Sequence, residues 1–425
     1  MKMTDIYEIA EYTLKALKNC GADAAQCIVG RSKKDELNVD GGKFSLMRST
    51  FNTSISMKAI KDGKKGVTSI NQATKEAIDE AATQCIAAAE SSVPDEAEQI
   101  APFTAKVEYK TGVFEPDLNK LFDRIEEFMS QTKKEYPKVI LEQLISDYEH
   151  SEKLYMNTNG TSLRYEHGEY SFNTMFSAHE GEKASSFNGY FCALDNLDKL
   201  FMDAGMQRQL LEESEKQLNT VSPSEKFVGK VIYSPDCFNE LLQTALENFA
   251  SSGVLIDGTS PWKDALNTKV ASEKLNLRSV PLDDKTVVGQ RFTSDGYPAE
   301  NMDIIVDGVL KTFILSQYGA NKTGFPRALN GGNNLEVLPG DKTLEEMISG
   351  IDRGLIVNRF SGGQPSSNGD FSGVAKNSFL IENGKVSSAV SETMISGNII
   401  DMLNNIVAIS KEQTTDGLSF MPWAE

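Results

Sequence analysis

The segment Gly362–Met402, GGQPSSNGDFSGVAKNSFLIENGKVSSAVSETMISGNIIDM, sets Gly, Asn and Asp at regular intervals between apolar runs. Gly369-Asp370-Phe371-Ser372 reads as a turn entering a strand. Phe379-Leu380-Ile381 then runs into Asn383-Gly384, a dipeptide that tolerates positive φ and signals a hairpin between two extended segments. Ser396-Gly397-Asn398 breaks the extended pattern, and Ile399, Ile400, Leu403 and Ile406 follow at spacings that suit one face of a short helix. A Gly-rich loop leading into a hairpin and a helix start has two readings: a cradle for an anion or substrate, or a tight turn in a packed α+β domain. Loop glycines answer a backbone requirement in either case.

At 425 residues the chain exceeds the length at which one hydrophobic core stops growing, so two domains are expected. Ser222-Pro223, where a charged helix gives way to an apolar strand, divides the chain into 1–221 and 222–425. The polar, Pro-containing stretch near 91–116 offers a further subdivision, into a small α+β unit and a β-rich unit. Lys and Arg total 43 against 61 acids, a net charge of −18, with no long basic block. Direct nucleic-acid binding is disfavoured, because neutralising phosphates needs clustered cations. The opening MKMTDIYEIAEYTLKALKNCG lacks a signal-peptide core and predicts an amphipathic helix with Ile6, Ile9, Leu14 and Leu17 inward. No apolar run reaches transmembrane length. Five scattered cysteines without a CxxC pair fit reduced, buried thiols in a cytoplasmic protein.

Strands are expected over 25–30, 36–39 and 53–60, with a return at Asp62-Gly63 or Lys65-Gly66. A helix over 77–89 is capped near Thr74, and another covers about 117–133. A β-rich stretch over 138–193 carries turn signals at Asn159-Gly160, His167-Gly168 and Glu180-Gly181. Helix is expected over 194–218, strand over 227–233, helix over 236–250, a hairpin around Asp307-Gly308, a short helix over 343–349 and a strand over 355–360. Such irregular interleaving favours an α+β fold with antiparallel or mixed sheets and flanking helices.

Hydrolytic zinc chemistry needs about three protein ligands and an open position. The chain has only His150, His167 and His179, none paired at helical spacing. On one continuous strand His167 and His179 would stand roughly 40 Å apart, at ~3.3 Å per residue. No G-x-S-x-G elbow, papain-like cysteine context, Walker loop or dinucleotide fingerprint is present. Asp283-Asp284 and Glu345-Glu346 read as a loop and a solvated helix face.

The order and spacing of several short motifs resemble the TldD/PmbA family, once called modulators of DNA gyrase. Arg291-Phe292-Thr293-Ser294-Asp295-Gly296 and Asp303-Ile304-Ile305-Val306-Asp307-Gly308 resemble its glycine loop and hairpin. Ser316-Gln317-Tyr318-Gly319-Ala320 and Gly324 resemble the helix and glycine that follow, and Asp370, Asn383-Gly384, Glu392, Gly397 and Asn398 the closing motif. Metal-bearing members of the TldD type carry His-Glu-x-x-x-His on a helix after a strand and a short loop. Here Val231-Ile232-Tyr233, Ser234-Pro235 and Leu241-Leu242 fit that frame, which places Gln243, Thr244 and Asn248 at the motif positions. An amide is a poor zinc ligand, and a threonine cannot serve as general base. The family's third ligand, a cysteine close to the C-terminus, has no counterpart after Cys237.

The resemblance implies a two-domain TldD/PmbA-type architecture and a PmbA-like subunit of a metallopeptidase acting on unfolded or extended peptides. No zinc site is expected in this chain, the zinc being expected in a TldD-like partner. Asn368, Gly369, Asp370, Phe371, Ser372 and Asn398 are the substrate-binding candidates, and a homodimer is expected of the chain alone. Two other functions remain open: a stand-alone hydrolase with ligands from His150, His167, His179 and neighbouring Glu residues, and a non-enzymatic protein that modulates another enzyme such as DNA gyrase.

Overall fold

Strand formation in the first half follows side-chain alternation, reinforced by pairing on both edges. In the computed structural model, which describes residues 3, 5–223 and 225–425, Ala25, Cys27 and Val29 are fully buried on one face of a single long strand, β1 (Ala24–Asp40). The two short strands expected over 25–30 and 36–39 are thus one. The polar middle, Arg31 to Asp35, hides the continuity in the side-chain pattern, but its backbone pairs with β2 (Lys43–Lys61) on one edge and with a later strand on the other. Asp62 and Gly63, both at positive φ, turn β2 into β3 (Lys64–Ile70). With β4 (Lys106–Gly112), β5 (Val139–Asn157) and β6 (Ser162–Glu180) they form a sheet in the order β3-β2-β1-β5-β6-β4. The short β7 (Lys183–Ala184) and β8 (Asn188–Leu194) also pair with β6.

Helices flank this sheet. Helix α1 (Ile6–Asn19) is capped by Asp5 and buries Ile6, Ile9 and Leu17, so the amphipathic expectation holds from Asp5 onward; Met1, Lys2 and Thr4 lie outside the described residues. Helix α2 (Lys75–Ser91) starts at its Thr74 cap and α3 (Leu118–Glu135) at Asp117. Helix α4 (Gln207–Lys216) is shorter than the helix expected over 194–218. Leu197, Phe201 and Met202 before it are buried in the core as loop and a single 3₁₀ turn instead. His167-Gly168 is not a turn but the interior of β6. There the glycine lets Val113 donate its N–H to the Gly168 carbonyl at 2.7 Å, and a Cβ would lie 1.8 Å from the Val113 carbonyl oxygen.

The second half builds a larger mixed sheet. Its strands are β9 (Thr220–Val221), β10 (Lys230–Tyr233), β11 (Leu277–Ser279), β12 (Met302–Val306), β13 (Val309–Leu310), β14 (Leu335–Val337) and β15 (Arg353–Val357), followed further along the chain by 378–382, 385–390, 409–415 and 420–424. The strand expected over 355–360 splits at Asn358: β15 stays in the large sheet, and β16 (Arg359–Ser361) enters a small sheet with β17 (Asp370–Lys376) and residues 393–398. Asn383-Gly384 forms the expected hairpin between 378–382 and 385–390, at φ 50° and 73°. Ser396 and Gly397 remain extended, and the break comes one step later at Asn398, which caps the helix 399–404.

One apolar layer joins the halves. Ile232, Ile356, Phe379 and Trp423 from the second sheet share a core with Leu141, Phe172 and Phe176 from the first. A second junction lies at the loop 293–297. Fully buried Tyr155 of β5 donates its hydroxyl to Gln26 Oε1 at 3.1 Å, and the Thr104 hydroxyl donates to the Gly296 carbonyl at 2.7 Å. Gly296, at φ +91°, lies flat on the Tyr155 ring, where a Cβ would fall 2.3 Å from Cζ. Gly296→Ala is therefore expected to destabilise the protein by about 3 kcal/mol through overlap plus backbone strain. Gly181→Ala, at a hairpin with open space around it, should cost only about 1 kcal/mol. Urea unfolding midpoints of the two variants check the difference.

Candidate functional site: the polar face of helix α5 and two facing clefts

Helix α5 (Pro235–Ala250) begins where the sequence places a cap and a proline. Ser234 accepts from the Cys237 N–H and donates to the Asn358 carbonyl at 3.0 Å, while Pro235 occupies the first turn. Phe238, Leu241, Leu242, Ala245 and Phe249 are buried in the core of the second half. That leaves Asp236, Asn239, Glu240, Gln243, Thr244 and Asn248 on the other side, in the order a helical repeat dictates.

The three motif positions are each engaged differently. The Gln243 side-chain amide donates to Asn239 Oδ1 at 3.3 Å, and Asn239 in turn donates to Ser419 Oγ at 3.2 Å. Thr244 donates to the Glu240 carbonyl of its own helix at 2.8 Å. The Asn248 amide donates to the carbonyls of Pro365 at 3.1 Å and Ser366 at 3.4 Å. The structure therefore brings Asn248 to the Gly-rich loop but not Gln243 or Thr244. Among the described residues no three His, Cys, Asp or Glu side chains converge as a metal-sized group.

The loop candidates form a closed network. Ser366 Oγ donates to Asn368 Oδ1 at 2.5 Å, Asn368 donates to Asp370 Oδ2 at 2.9 Å, and Asn398 donates to Asp370 Oδ1 at 2.9 Å and to the Asn368 carbonyl at 3.0 Å. Asn398 Oδ1 also accepts from the Ile400 N–H at 2.8 Å, so one side chain caps a helix and ties down the loop. Gly369 sits at φ +90° with Phe249 beneath it. Phe371 is buried edge-on against Phe360, and Ser372 is exposed opposite Ser396.

Two clefts open beside α5, and Asn239, Gln243 and Asp416 line both. The first, of about 680 Å³, lies between the first sheet (Gly30, Ser54, Lys153, Tyr165) and the loop carrying Gln290, Arg291 and Phe292. The second, of about 730 Å³, is bounded by Asn173, Phe187 and Tyr190 on one side and by Asp236, Glu240, Arg359 and Lys376 on the other. None of the six loop candidates lines either cleft. The wall residues come from strands and loops far apart in the chain, so no local motif marks them; only the polar face of α5 was legible in advance.

Burial dominates the electrostatics here. It raises the Asp236 carboxyl to about 6, helped by the negative charges of Asp416 and Glu240. The Cys237 thiol is likewise held well above its ordinary value by burial, which argues against a nucleophilic role. The histidines lie elsewhere, on β5 and β6. His150 is 3.0 Å from Glu166 and His167 is 3.3 Å from Glu169, while His179 is 3.9 Å from Glu142 and 2.9 Å from Ser177 Oγ. His167 and His179 share the one strand β6.

Asp236 yields a pH prediction. Its carboxyl titrates near 6 in the folded chain against about 4 in the unfolded one. Between those values the native state holds the extra proton, so stability falls as pH rises through that window. Asp236→Asn removes the charged form. The variant should unfold at higher denaturant than the parent above about pH 6, and the advantage should vanish near about pH 4; paired urea titrations across that range check both limits.

Comparison with known proteins accords with this geometry. The model of the PmbA/TldA metallopeptidase C-terminal domain matches residues 226–424 and that of PmbA/TldA metallopeptidase domain 1 matches residues 25–89, together more than half of the chain. The Zinc metalloprotease TldD homolog of Saccharolobus solfataricus is 29% identical over 220 residues, 48% of this chain and 49% of that protein. Metalloprotease PmbA of Escherichia coli O157:H7 is 32% identical over 155 residues, 36% of this chain and 34% of that one. The chain spans about half the length, or less, of these curated relatives. The crystal structure of TldE from Thermococcus kodakarensis matches the fold with a TM-score of 0.85 at 22% identity, covering 98% of both chains. With its motifs in order and its α+β, two-domain architecture shared from end to end, the chain belongs to the TldD/PmbA metallopeptidase family.

Proposed function

We propose that this chain is a PmbA-like subunit of a two-subunit metallopeptidase, which contributes scaffold and cleft while a TldD-like partner supplies the zinc. The observation that carries this reading is the state of Gln243, Thr244 and Asn248. In the frame of the metal-bearing type these would be two imidazole ligands and a carboxylate base. Here they are two amides and a hydroxyl, and their hydrogen bonds run to Asn239, the Glu240 carbonyl and the carbonyls of Pro365 and Ser366. Such a donor set does not fit zinc, which takes thiolate, imidazole or carboxylate ligands. No catalytic step through a metal is therefore assigned to this chain.

What its residues can do is bind. The two clefts meet at Asn239 and Gln243, and side-chain amides there and at Gln290 offer donors and acceptors to a polypeptide backbone of any sequence. Apolar walls at Ile28, Val288 and Phe292 accept side chains. An extended, unfolded peptide is the ligand that suits such a groove. The network around Asn368, Asp370 and Asn398 would hold the end of α5 in place beside it, and those loop residues stay as candidates for contact with a longer peptide. A cytoplasmic location and a homodimer of the isolated chain complete the reading.

The test is to purify the chain alone and together with a TldD-like chain of the same organism. Metal content is measured by plasma mass spectrometry and cleavage with an unfolded peptide substrate. The expected result is substoichiometric zinc and no cleavage by the chain alone, with co-elution and cleavage once the partner is added. Stoichiometric zinc and cleavage by the chain alone would refute the reading and favour a stand-alone hydrolase. Co-purification with a topoisomerase and no TldD-like chain would favour the modulator role.

A further inference from the structure

The first cleft is lined by two cations with no carboxylate partner among the described residues. Lys153, on β5, stands opposite Tyr165 of β6 in the strand register. Its ammonium makes no hydrogen bond or ion pair with any described residue; its recorded neighbour is the Phe292 ring, at 5.9 Å from the centroid. Arg291 holds its guanidinium 5.9 Å from the centroid of that same Tyr165 ring and gives one N–H to the Pro281 carbonyl at 3.2 Å. It too has no carboxylate partner among the described residues. The two cations thus line one cavity, Lys153 beside the Phe292 ring and Arg291 beside the Tyr165 ring.

The carboxylates on the rim of that cavity are already engaged. Glu152 is held by Arg164 at 2.6 Å. Asp416 accepts from the N–H groups of Ser419 at 2.7 Å and Leu418 at 2.8 Å and from Ser419 Oγ at 3.1 Å. In a protein of net charge −18, two cations that line one cleft with no direct carboxylate partner among the described residues are a basis for binding an anion there.

We propose that this end of the cleft is a carboxylate-binding site, where Lys153 and Arg291 together hold the C-terminal carboxylate, or an acidic side chain, of an extended peptide. The peptide then runs on past Gln243 and Asn239 toward the second cleft. The acidic residues Asp236 and Glu240 there give the groove an opposite polarity at its other end, so the carboxylate anchor sets the direction in which the chain lies. This assignment takes its ligand class from the peptide reading above, whereas the anion site itself stands on the cation pair.

The experiment measures fluorescence anisotropy of an N-terminally labelled extended hexapeptide in three forms: free acid, C-terminal amide, and amide with a glutamate as last residue. The free acid should bind about tenfold more tightly than the plain amide. The glutamate amide separates the sources: binding like the free acid assigns a general carboxylate site, and binding like the plain amide assigns a chain-end site. In Lys153→Met and in Arg291→Gln the free acid should bind no more tightly than the amide binds to the same variant. Equal binding of acid and amide to the parent, or an intact preference for the acid in Lys153→Met, would overturn the carboxylate site and leave the peptide reading standing. If no form binds, the peptide reading fails, and the site is then judged with N-acetylglycine alone, by NMR titration of ¹³C-labelled Lys153. A rise in its pKa on adding N-acetylglycine upholds the anion site, and an unchanged titration overturns it.

Discussion

The hydrogen bonds from the Asn248 amide to the carbonyls of Pro365 and Ser366 fix the end of helix α5 to the Gly-rich loop. Each such bond contributes only about 1 kcal/mol net, but several other placements follow from this one. With the loop held, Gly369 can lie over Phe249 at a φ that other residues avoid, and Asn398 can bridge the Asn368 carbonyl, Asp370 and the first N–H groups of the helix 399–404. The side chain at 248 is an amide that bonds to the loop.

A helix so fixed can present its other polar residues to solvent-filled space. Gln243 and Asn239 sit where two clefts meet, and each cleft has one wall from the first sheet and one from the second half. The groove therefore depends on how the halves dock. That docking rests on the shared apolar layer around Phe172, Phe379 and Trp423 and on Tyr155 beneath Gly296. Burial keeps the cysteine of α5, Cys237, unreactive.

Much of this was legible in the residues, for reasons that are local. Helix α5 matches the helix expected over 236–250, and the turns at Asp62-Gly63 and Asn383-Gly384 followed from residues that tolerate positive φ. The expectation for 243, 244 and 248 rests on motif order and not on a local signal. Features settled by tertiary pairing were not legible. The polar centre of β1 looks like a loop until its two neighbouring strands are known, and His167-Gly168 looks like a turn until Val113 is found against it. Asn358 divides one apparent strand between two sheets. Lys153 and Arg291 belong to different halves, and nothing in either local sequence announces that they share a cleft.

The central claim is that Gln243, Thr244 and Asn248 are engaged in hydrogen bonds within the chain and do not form a metal-binding set. The most direct measurement is anomalous X-ray scattering at the zinc edge from crystals of this chain grown with zinc. The account predicts no anomalous peak within bonding distance of Gln243, Thr244 or Asn248, with the Asn248 amide still bonded to the loop. An ordered peak there, held by side chains of this chain, would contradict it.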